Sequence, residues 1–178
     1  MKTTTASELS TTTTAHITTN TTTSTISTTS MAEDFSNLKL NGKEIKEETI
    51  FNGIQDVLAA VRKGDKYKFI KVETLIDGQI RLFIEASDGR RWKRGKSDMV
   101  ELTQDRGTIW RLTPHPIKPG KFQLHYDENN WYDQDPNIRR AITSNRFLEQ
   151  GVSVLEVARI SFSESIFMND EEFLWTFE

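Results

Sequence analysis

The chain has 178 residues, a formal net charge of −3 and no cysteine. The lack of cysteine excludes disulfides, thiolate nucleophiles and cysteine-ligated metal centres, and the negative charge argues against a globally basic nucleic-acid-binding protein. No apolar run approaches the length of about 18 residues that a membrane-spanning helix needs, so we expect a cytoplasmic protein with no membrane partner.

Two thirds of the first thirty residues are Thr or Ser. Such a stretch has almost no apolar surface to bury, and it cannot offset the conformational entropy that ordering it would remove. The composition changes at residue 35, where apolar side chains begin to recur at regular spacings. The sequence therefore predicts a disordered Thr/Ser-rich leader over 1–34 and a single domain over 35–178.

Apolar residues recur at three- and four-residue steps near the start of this domain. Ile54, Val57 and Val61 fall on one face of a helix, and Gly64 suits the position just past a helix C-terminus. The spacing predicts a helix over 49–63.

Beyond residue 66 the apolar period shortens to two, which is typical of strands. Two such runs, Tyr67–Leu75 and Ile80–Ala86, flank Asp77-Gly78, a dipeptide typical of type I′ turns, and they predict a β-hairpin. Asp88-Gly89 predicts a second turn. Three further strands are expected at Met99–Leu102, Thr108–Leu112 and Lys121–Tyr126.

The last third of the chain shows a helix signal followed by weaker strand signals. Asp135-Pro136 is typical of a helix start, and apolar residues continue from there to Gly151. The stretch Val152–Phe162 fits a strand or a helix, and Phe173–Phe177 predicts a short terminal strand. The expected fold is α+β: a mainly antiparallel sheet of five to six strands with two main helices.

One segment concentrates positive charge in an otherwise acidic domain. It comprises Arg90, Arg91, Trp92, Lys93, Arg94 and Lys96. Arg and Lys bind phosphates and Trp stacks on bases, so this basic segment is a candidate polyanion-binding site. A solvated turn whose Trp packs inward, and a contact with a protein partner, are the alternatives.

Aromatic residues near the C-terminus provide a second candidate surface. Trp131 and Tyr132 have polar neighbours, and an exposed indole–phenol pair is typical of protein interfaces. Phe173 and Trp175 follow an acidic stretch. They could belong to an edge strand to which a partner adds a strand of its own. These four residues are the candidate partner-binding residues.

Catalytic signatures are weak. His115, His125 and Asp127 could together form a two-histidine, one-carboxylate metal site, which defines a hydrolase alternative. No nucleophile elbow, phosphate loop or HExxH pattern accompanies them. We therefore expect no catalytic residues, no metal and no cofactor.

The run Trp92-Lys93-Arg94-Gly95-Lys96 resembles the Trp-x-Lys-Gly-Lys signature of the cyanobacterial KGK-domain proteins. The resemblance covers residues 38–102 and departs from the pattern at Arg94 and at Ser97-Asp98. It implies a bacterial cytoplasmic protein, and it carries over no functional residues.

The sequence as a whole predicts a non-enzymatic binding module whose ligand is most simply another protein. Polyanion or nucleic-acid binding through residues 90–96 is the first alternative, and a metal-dependent or other hydrolase around His115 and His125 is the second.

Overall fold

The computed structural model describes residues 35–50, 54–127, 138–147, 151–161 and 171–178. Over these ranges the chain forms twelve β-strands and two 3-10 helices of three residues each. The strands are β1 (Ser36–Leu40), β2 (Lys43–Ile50), β3 (Ile54–Val61), β4 (Lys66–Thr74), β5 (Ile80–Ala86), β6 (Arg91–Arg94), β7 (Val100–Thr103), β8 (Trp110–Pro114), β9 (Phe122–Tyr126), β10 (Ile138–Phe147), β11 (Ser153–Ser161) and β12 (Trp175–Phe177). The 3-10 helices are Lys96–Asp98 and Glu171–Phe173.

The described strands form one antiparallel sheet. Its order is β10-β11-β3-β2-β1-β12-β9-β8-β5-β6-β7, and β4 pairs with β1 and β5 beside this path. Additional pairings join β10 to β9 and β3 to β7, so the sheet curls back on itself. Curling of this kind lets one face of a large twisted sheet enclose a core.

The expected α+β class, with its five to six strands and two main helices, is therefore wrong. The helix predicted over 49–63 is replaced by the end of β2 and by β3, which pair with each other as a hairpin. Every residue from Val57 to Ala60 is buried. A short apolar run that is buried on both faces satisfies the helical spacing as well as a strand does, and the pattern cannot separate the two.

The second predicted helix, from Asp135-Pro136 to Gly151, is wrong for the same reason. Asp135 and Pro136 lie outside the described residues, but β10 begins at Ile138 and pairs with β11 along most of its length. Ala141, Ile142 and Thr143 are consecutive and fully buried. Their burial on both faces of a strand reproduces the apolar density of a helix.

The hairpin predicted around Asp77-Gly78 is confirmed as β4 and β5, with Phe69 opposite Ile84. Its turn is not type I′, because Gly78 has a positive φ of 81° and Asp77 does not. The amide of Gly78 donates to the carbonyl of Leu75 at 3.0 Å, which makes a type I turn followed by a left-handed glycine. Asp88-Gly89 closes β5 and β6 in the same way, with Gly89 at φ 87°.

The remaining predicted strands correspond to β7, β8, β9 and β12, with ends that agree to within a few residues. The ambiguous stretch after Gly151 contains β11.

Strands β1 and β2 were not predicted. A two-residue type I′ turn joins them at Asn41-Gly42, where φ is 48° and 75°. That dipeptide is a strong hairpin signal, and the polar character of the flanking strands concealed it.

Buried apolar side chains form two clusters on opposite faces of β3. Leu58 and Ala60 belong to the large core, whereas Val57 and Ala59 pack with Met99 and Val154 in the small one. The large core contains a chain of aromatic rings: Tyr67 meets Trp92 edge-on at 5.1 Å between centroids, and Trp92 lies 5.9 Å from Trp175. This aromatic packing ties β4, β6 and β12 together.

Candidate functional site

The basic segment lies on β6 and the turns that flank it, and intramolecular carboxylates bind its arginines. Arg90 donates to both oxygens of Glu47 at 2.6 and 2.5 Å and to Asp88 at 2.8 Å. The hydrogen bonds from Arg90 lower the pKa of Glu47. A guanidinium held by two carboxylates in this fork geometry offers little to a phosphate.

Arg91 and Arg94 are held in the same way. Arg91 donates to Glu85 at 3.0 Å, and its guanidinium lies 4.5 Å from the ring centroid of Phe83. Arg94 donates to Asp98 at 2.6 Å and lies 4.6 Å from the ring centroid of Tyr126. Each guanidinium therefore has both an anionic and an aromatic partner within the chain.

The other three members of the basic segment differ in exposure. Trp92 is fully buried, so its indole cannot stack on a base. The ammonium of Lys93 lies 4.0 Å from Asp105, and Lys96 is exposed in the 3-10 helix after β6. Trp92 therefore packs inward, as in the solvated-turn interpretation, but the segment is mostly a strand and its arginines are partly buried in ion pairs.

Two of the four candidate partner-binding residues are interior. Phe173 is 5% exposed and Trp175 is 0% exposed, so neither is available to a partner in this structure. Trp131 and Tyr132 lie outside the described residues. The acidic stretch before β12 contacts the chain itself, because Glu171 pairs with Lys118 and, at 3.0 Å, with Lys121. Hydrogen bonds from these lysines lower the pKa of Glu171 to about 2.

The two histidines lie far apart along the β8–β9 ladder. His125 is opposite Arg111, whereas His115 donates its amide to the carbonyl of Lys121, four residues from His125. That offset corresponds to about 13 Å along the strands. The Nδ1 atom of His115 accepts the amide of Lys118 at 2.9 Å, which makes it a loop-ordering group.

Asp127, the third member of the metal-site hypothesis, is almost fully buried and binds two arginines. Its carboxylate accepts from the Nε of Arg81 and, at 2.8 Å, from the Nε of Arg111. Within the described ranges, no group of three or more His, Asp or Glu side chains is arranged to hold a metal ion.

One side of β4 has no partner strand among the described residues along part of its length, at a place that the sequence interpretation missed. β1 pairs with β4 only through Ser36 with Tyr67 and Asn37 with Lys66. Beyond Tyr67, no described strand lies opposite β4 on that side, and residues 71–74 are exposed. We call residues 68–71 on this side of the strand the β4 edge. A bulge between Lys71 and Glu73 limits it at its far end.

The backbone groups of the β4 edge can be assigned from the neighbouring hydrogen bonds. Asn37 exchanges two backbone hydrogen bonds with Glu178, at 2.8 and 3.0 Å, and therefore faces β12. Because alternate residues of a strand face opposite neighbours, Ser36 faces β4 and its partner Tyr67 faces β1. Phe69 and Lys71 then direct their N–H and C=O groups outward along the β4 edge.

Independent hydrogen bonds on the other side of β4 agree with this assignment. Ala86 lies opposite Tyr67 and donates its amide to Arg90 at 2.8 Å, away from β4. The pair Tyr67 and Ala86 therefore does not exchange hydrogen bonds, and the next pair, Lys68 with Glu85, does. The amides of Lys68 and Ile70 thus face β5.

The β4 edge is positively charged and partly apolar. Lys66 and Lys71 are exposed, and neither forms an ion pair with any residue that the structure describes. Lys68 lies 3.2 Å from Glu85, which it shares with Arg91, so this trio keeps one excess positive charge. Beside these cations Val72 is 45% exposed. Lysines that alternate with apolar residues in one strand are a sequence signal of a sheet edge.

The sequence matches no protein-family model and no curated protein. The resemblance to the KGK-domain proteins stays a prediction. In the described part of the chain, no helix is long and apolar enough to cross a membrane.

Proposed function

We propose that the protein is a non-enzymatic binding module that recognises an extended, acidic segment of another protein by adding it as a strand to the β4 edge. The observation that carries the proposal is the edge itself, with the backbone groups of Phe69 and Lys71 facing outward and no described strand opposite them. Main-chain hydrogen bonds to such an edge supply affinity, and the flanking side chains supply specificity.

Charge supports an acidic ligand. The edge presents Lys68 and Lys71, with Lys66 just before it, and opposite charges across a strand pair contribute roughly 0.2–1 kcal/mol each whereas like charges repel. Edge lysines also discourage a second copy of the same edge from pairing, because the copies would repel each other. The edge thus favours an anionic strand over self-association.

The basic segment offers a weaker surface for a ligand. Its three arginines bind Glu47, Glu85 and Asp98 within the chain, and a polyanion would have to displace these carboxylates. At the β4 edge, a ligand strand would displace no strand that the structure describes. This difference favours a protein ligand over a nucleic acid.

A labelled acidic strand peptide, Thr-Val-Glu-Val-Asp-Val-Thr, tests the proposal by fluorescence anisotropy with the full-length protein. We expect Lys71→Glu to weaken binding about fivefold or more, since one cross-strand attraction becomes a repulsion. Lys96→Glu is the matched control, with the same charge change at an exposed lysine of the basic segment, and it should leave affinity within about twofold. Equal losses in the two variants, or a larger loss in Lys96→Glu, would overturn the proposal.

A further inference from the structure

We infer that the β4 edge selects ligand strands in which an aromatic residue stands next to an acidic one, because apolar side chains around Ile70 form a seat for the aromatic ring. The inference rests on the proposed function, and it names the class of segment that the same edge takes. We call Ile70, its cross-strand partner Phe83 and the nearby Phe35 the Ile70 seat.

The side chains of β4 alternate between two faces of the sheet. Tyr67 and Phe69 are buried in the large core, whereas Lys68 and Ile70 are only partly buried. Because successive side chains of a strand point to opposite faces, Lys68 and Ile70 lie on the outer face. The ion pair that Lys68 forms with Glu85, its partner on β5, agrees with this assignment. A ligand residue opposite Ile70 would therefore present its side chain on the outer face.

On the outer face, Ile70 has an apolar cross-strand neighbour on one side. Phe83 lies opposite it on β5 and is 8% exposed, although it belongs to neither core cluster. The guanidinium groups of Arg91 and Arg106 lie over its ring, at 4.5 and 5.9 Å from the centroid. On the other side of Ile70, no described strand supplies a partner. An apolar ligand side chain would continue this row, since directly opposite side chains contact each other.

Two exposed apolar side chains flank this position along the edge. The Nζ of Lys68 lies 4.9 Å from the ring centroid of Phe35, so this ring is on the outer face as well. Phe35 is 37% exposed, and Val72, two residues beyond Ile70, is 45% exposed. Two residues of a strand span about 7 Å, a separation that an aromatic side chain can bridge diagonally. The position opposite Ile70 therefore suits a large ring better than a small apolar side chain.

The charges around the seat favour a ring with an acid next to it. A ring opposite Ile70 would be diagonal to Lys68, whose ammonium already lies near the ring of Phe35. Lys71 follows Ile70 and is exposed. The ligand residue opposite Lys71 is the sequence neighbour of the ring whichever way the ligand strand runs, and an acid there meets the lysine ammonium.

Two labelled peptides test the inference by fluorescence anisotropy with the full-length protein. One is the acidic strand peptide Thr-Val-Glu-Val-Asp-Val-Thr, and the other has phenylalanine in place of its central valine. We expect the phenylalanine peptide to bind the wild type about threefold to tenfold more tightly than the valine peptide, because its ring gains contacts with the seat and with the Lys68 ammonium.

Ile70→Thr and Phe35→Ala test whether the seat causes this gain in affinity. Each should reduce the gain to less than about twofold while the valine peptide still binds, which shows that the variant is folded. Ile117→Thr is the matched control. It makes the same substitution as Ile70→Thr at an isoleucine that is 65% exposed in the loop between β8 and β9, and it should keep the full gain.

Equal gains in the wild type and Ile70→Thr, or no gain in the wild type, overturn the inference and leave the proposed function standing when the valine peptide binds. If Ile70→Thr binds neither peptide, the same comparison with Phe35→Ala decides. No saturable binding of either peptide to the wild type overturns the proposed function and the inference with it.

Discussion

The basic segment on β6 and the β4 edge both carry several cations on one strand, but they differ in what those cations contact. Arg90, Arg91 and Arg94 each bind a carboxylate of their own chain, and Trp92 between them is fully buried. Along β4, by contrast, Lys71 is exposed and ends an edge with outward-facing backbone groups. Charge density in the sequence therefore does not show which cations are available to a ligand, because the carboxylates that bind Arg90, Arg91 and Arg94 appear only in the structure.

The largest effect on stability is expected when the buried Trp of the basic segment is removed. Trp92→Ala deletes a side chain that packs against Tyr67 and Trp175, and we expect it to destabilise the fold by about 3–5 kcal/mol in urea denaturation. Trp92→Phe is the control. It keeps an aromatic ring and loses an indole N–H that has no hydrogen-bond partner among the described residues, so it should cost clearly less. Equal, small effects of both variants would contradict an interior role for the basic segment.

The ion pairs of the basic segment should give the next largest effect. Arg90→Ala leaves Glu47 and Asp88 without their shared partner, at side chains 26% and 49% exposed, and we expect a loss of about 1–2 kcal/mol in the same assay. Lys96→Ala, at an exposed lysine of the same segment, should change the free energy of unfolding by less than about 0.5 kcal/mol. A neutral Arg90→Ala would show that the pair with Glu47 is not formed in solution.

The pH dependence of stability tests the ion pair between Arg90 and Glu47 in a second way. The pKa of Glu47 is lowered from its ordinary value of 4.5 by the hydrogen bonds from Arg90, so this pair stabilises the fold above pH 4.5 and the contribution is lost as pH falls through the lowered pKa. Asp56 has the opposite effect on the pH dependence of stability, because its hydrogen bond with Glu47 raises the pKa of Asp56. Glu47→Gln should therefore be less stable than the wild type at pH 7, with the difference narrowing toward pH 3 in thermal melts. A difference that stays constant over this range would argue against the pair.

The smallest effect on stability is expected at the β4 edge. Lys71→Glu changes an exposed side chain with no ion pair to any described residue, and its free energy of unfolding should stay within about 0.5 kcal/mol of the wild type. The same variant is the one expected to lose peptide affinity. A large loss of stability in Lys71→Glu would mean that the edge is a structural element and not a docking surface.

The sequence predicted those elements whose pattern is local. The β4–β5 hairpin has alternating apolar residues on both sides of one turn, and its two strands were placed correctly. Strands β3 and β10 were taken for helices because Val57–Ala60 and Ala141–Thr143 are buried on both faces. Burial on both faces depends on which distant strands pack there, and no local pattern contains that information.

The ion pairs of the basic segment and the β4 edge were missed for a related reason. Arg90 and its partner Glu47 are 43 residues apart, so the sequence shows the cation without the anion that binds it. The β4 edge is equally nonlocal, since the described pairing of β1 with β4 stops at Ser36 and Tyr67, and no local pattern shows where a pairing stops. The alternation of lysine with apolar residues from Lys66 to Val72 was visible in the sequence, and it was interpreted only as one half of a hairpin.

Amide mapping by NMR tests the docking role of β4 most directly. In the full-length protein titrated with the acidic strand peptide, the account predicts that the amides of Phe69 and Lys71 shift and become slow to exchange, while those of Lys68 and Ile70 stay protected throughout. Saturable peptide binding that leaves Phe69 and Lys71 unchanged and shifts the amides of Arg91–Arg94 instead would contradict it.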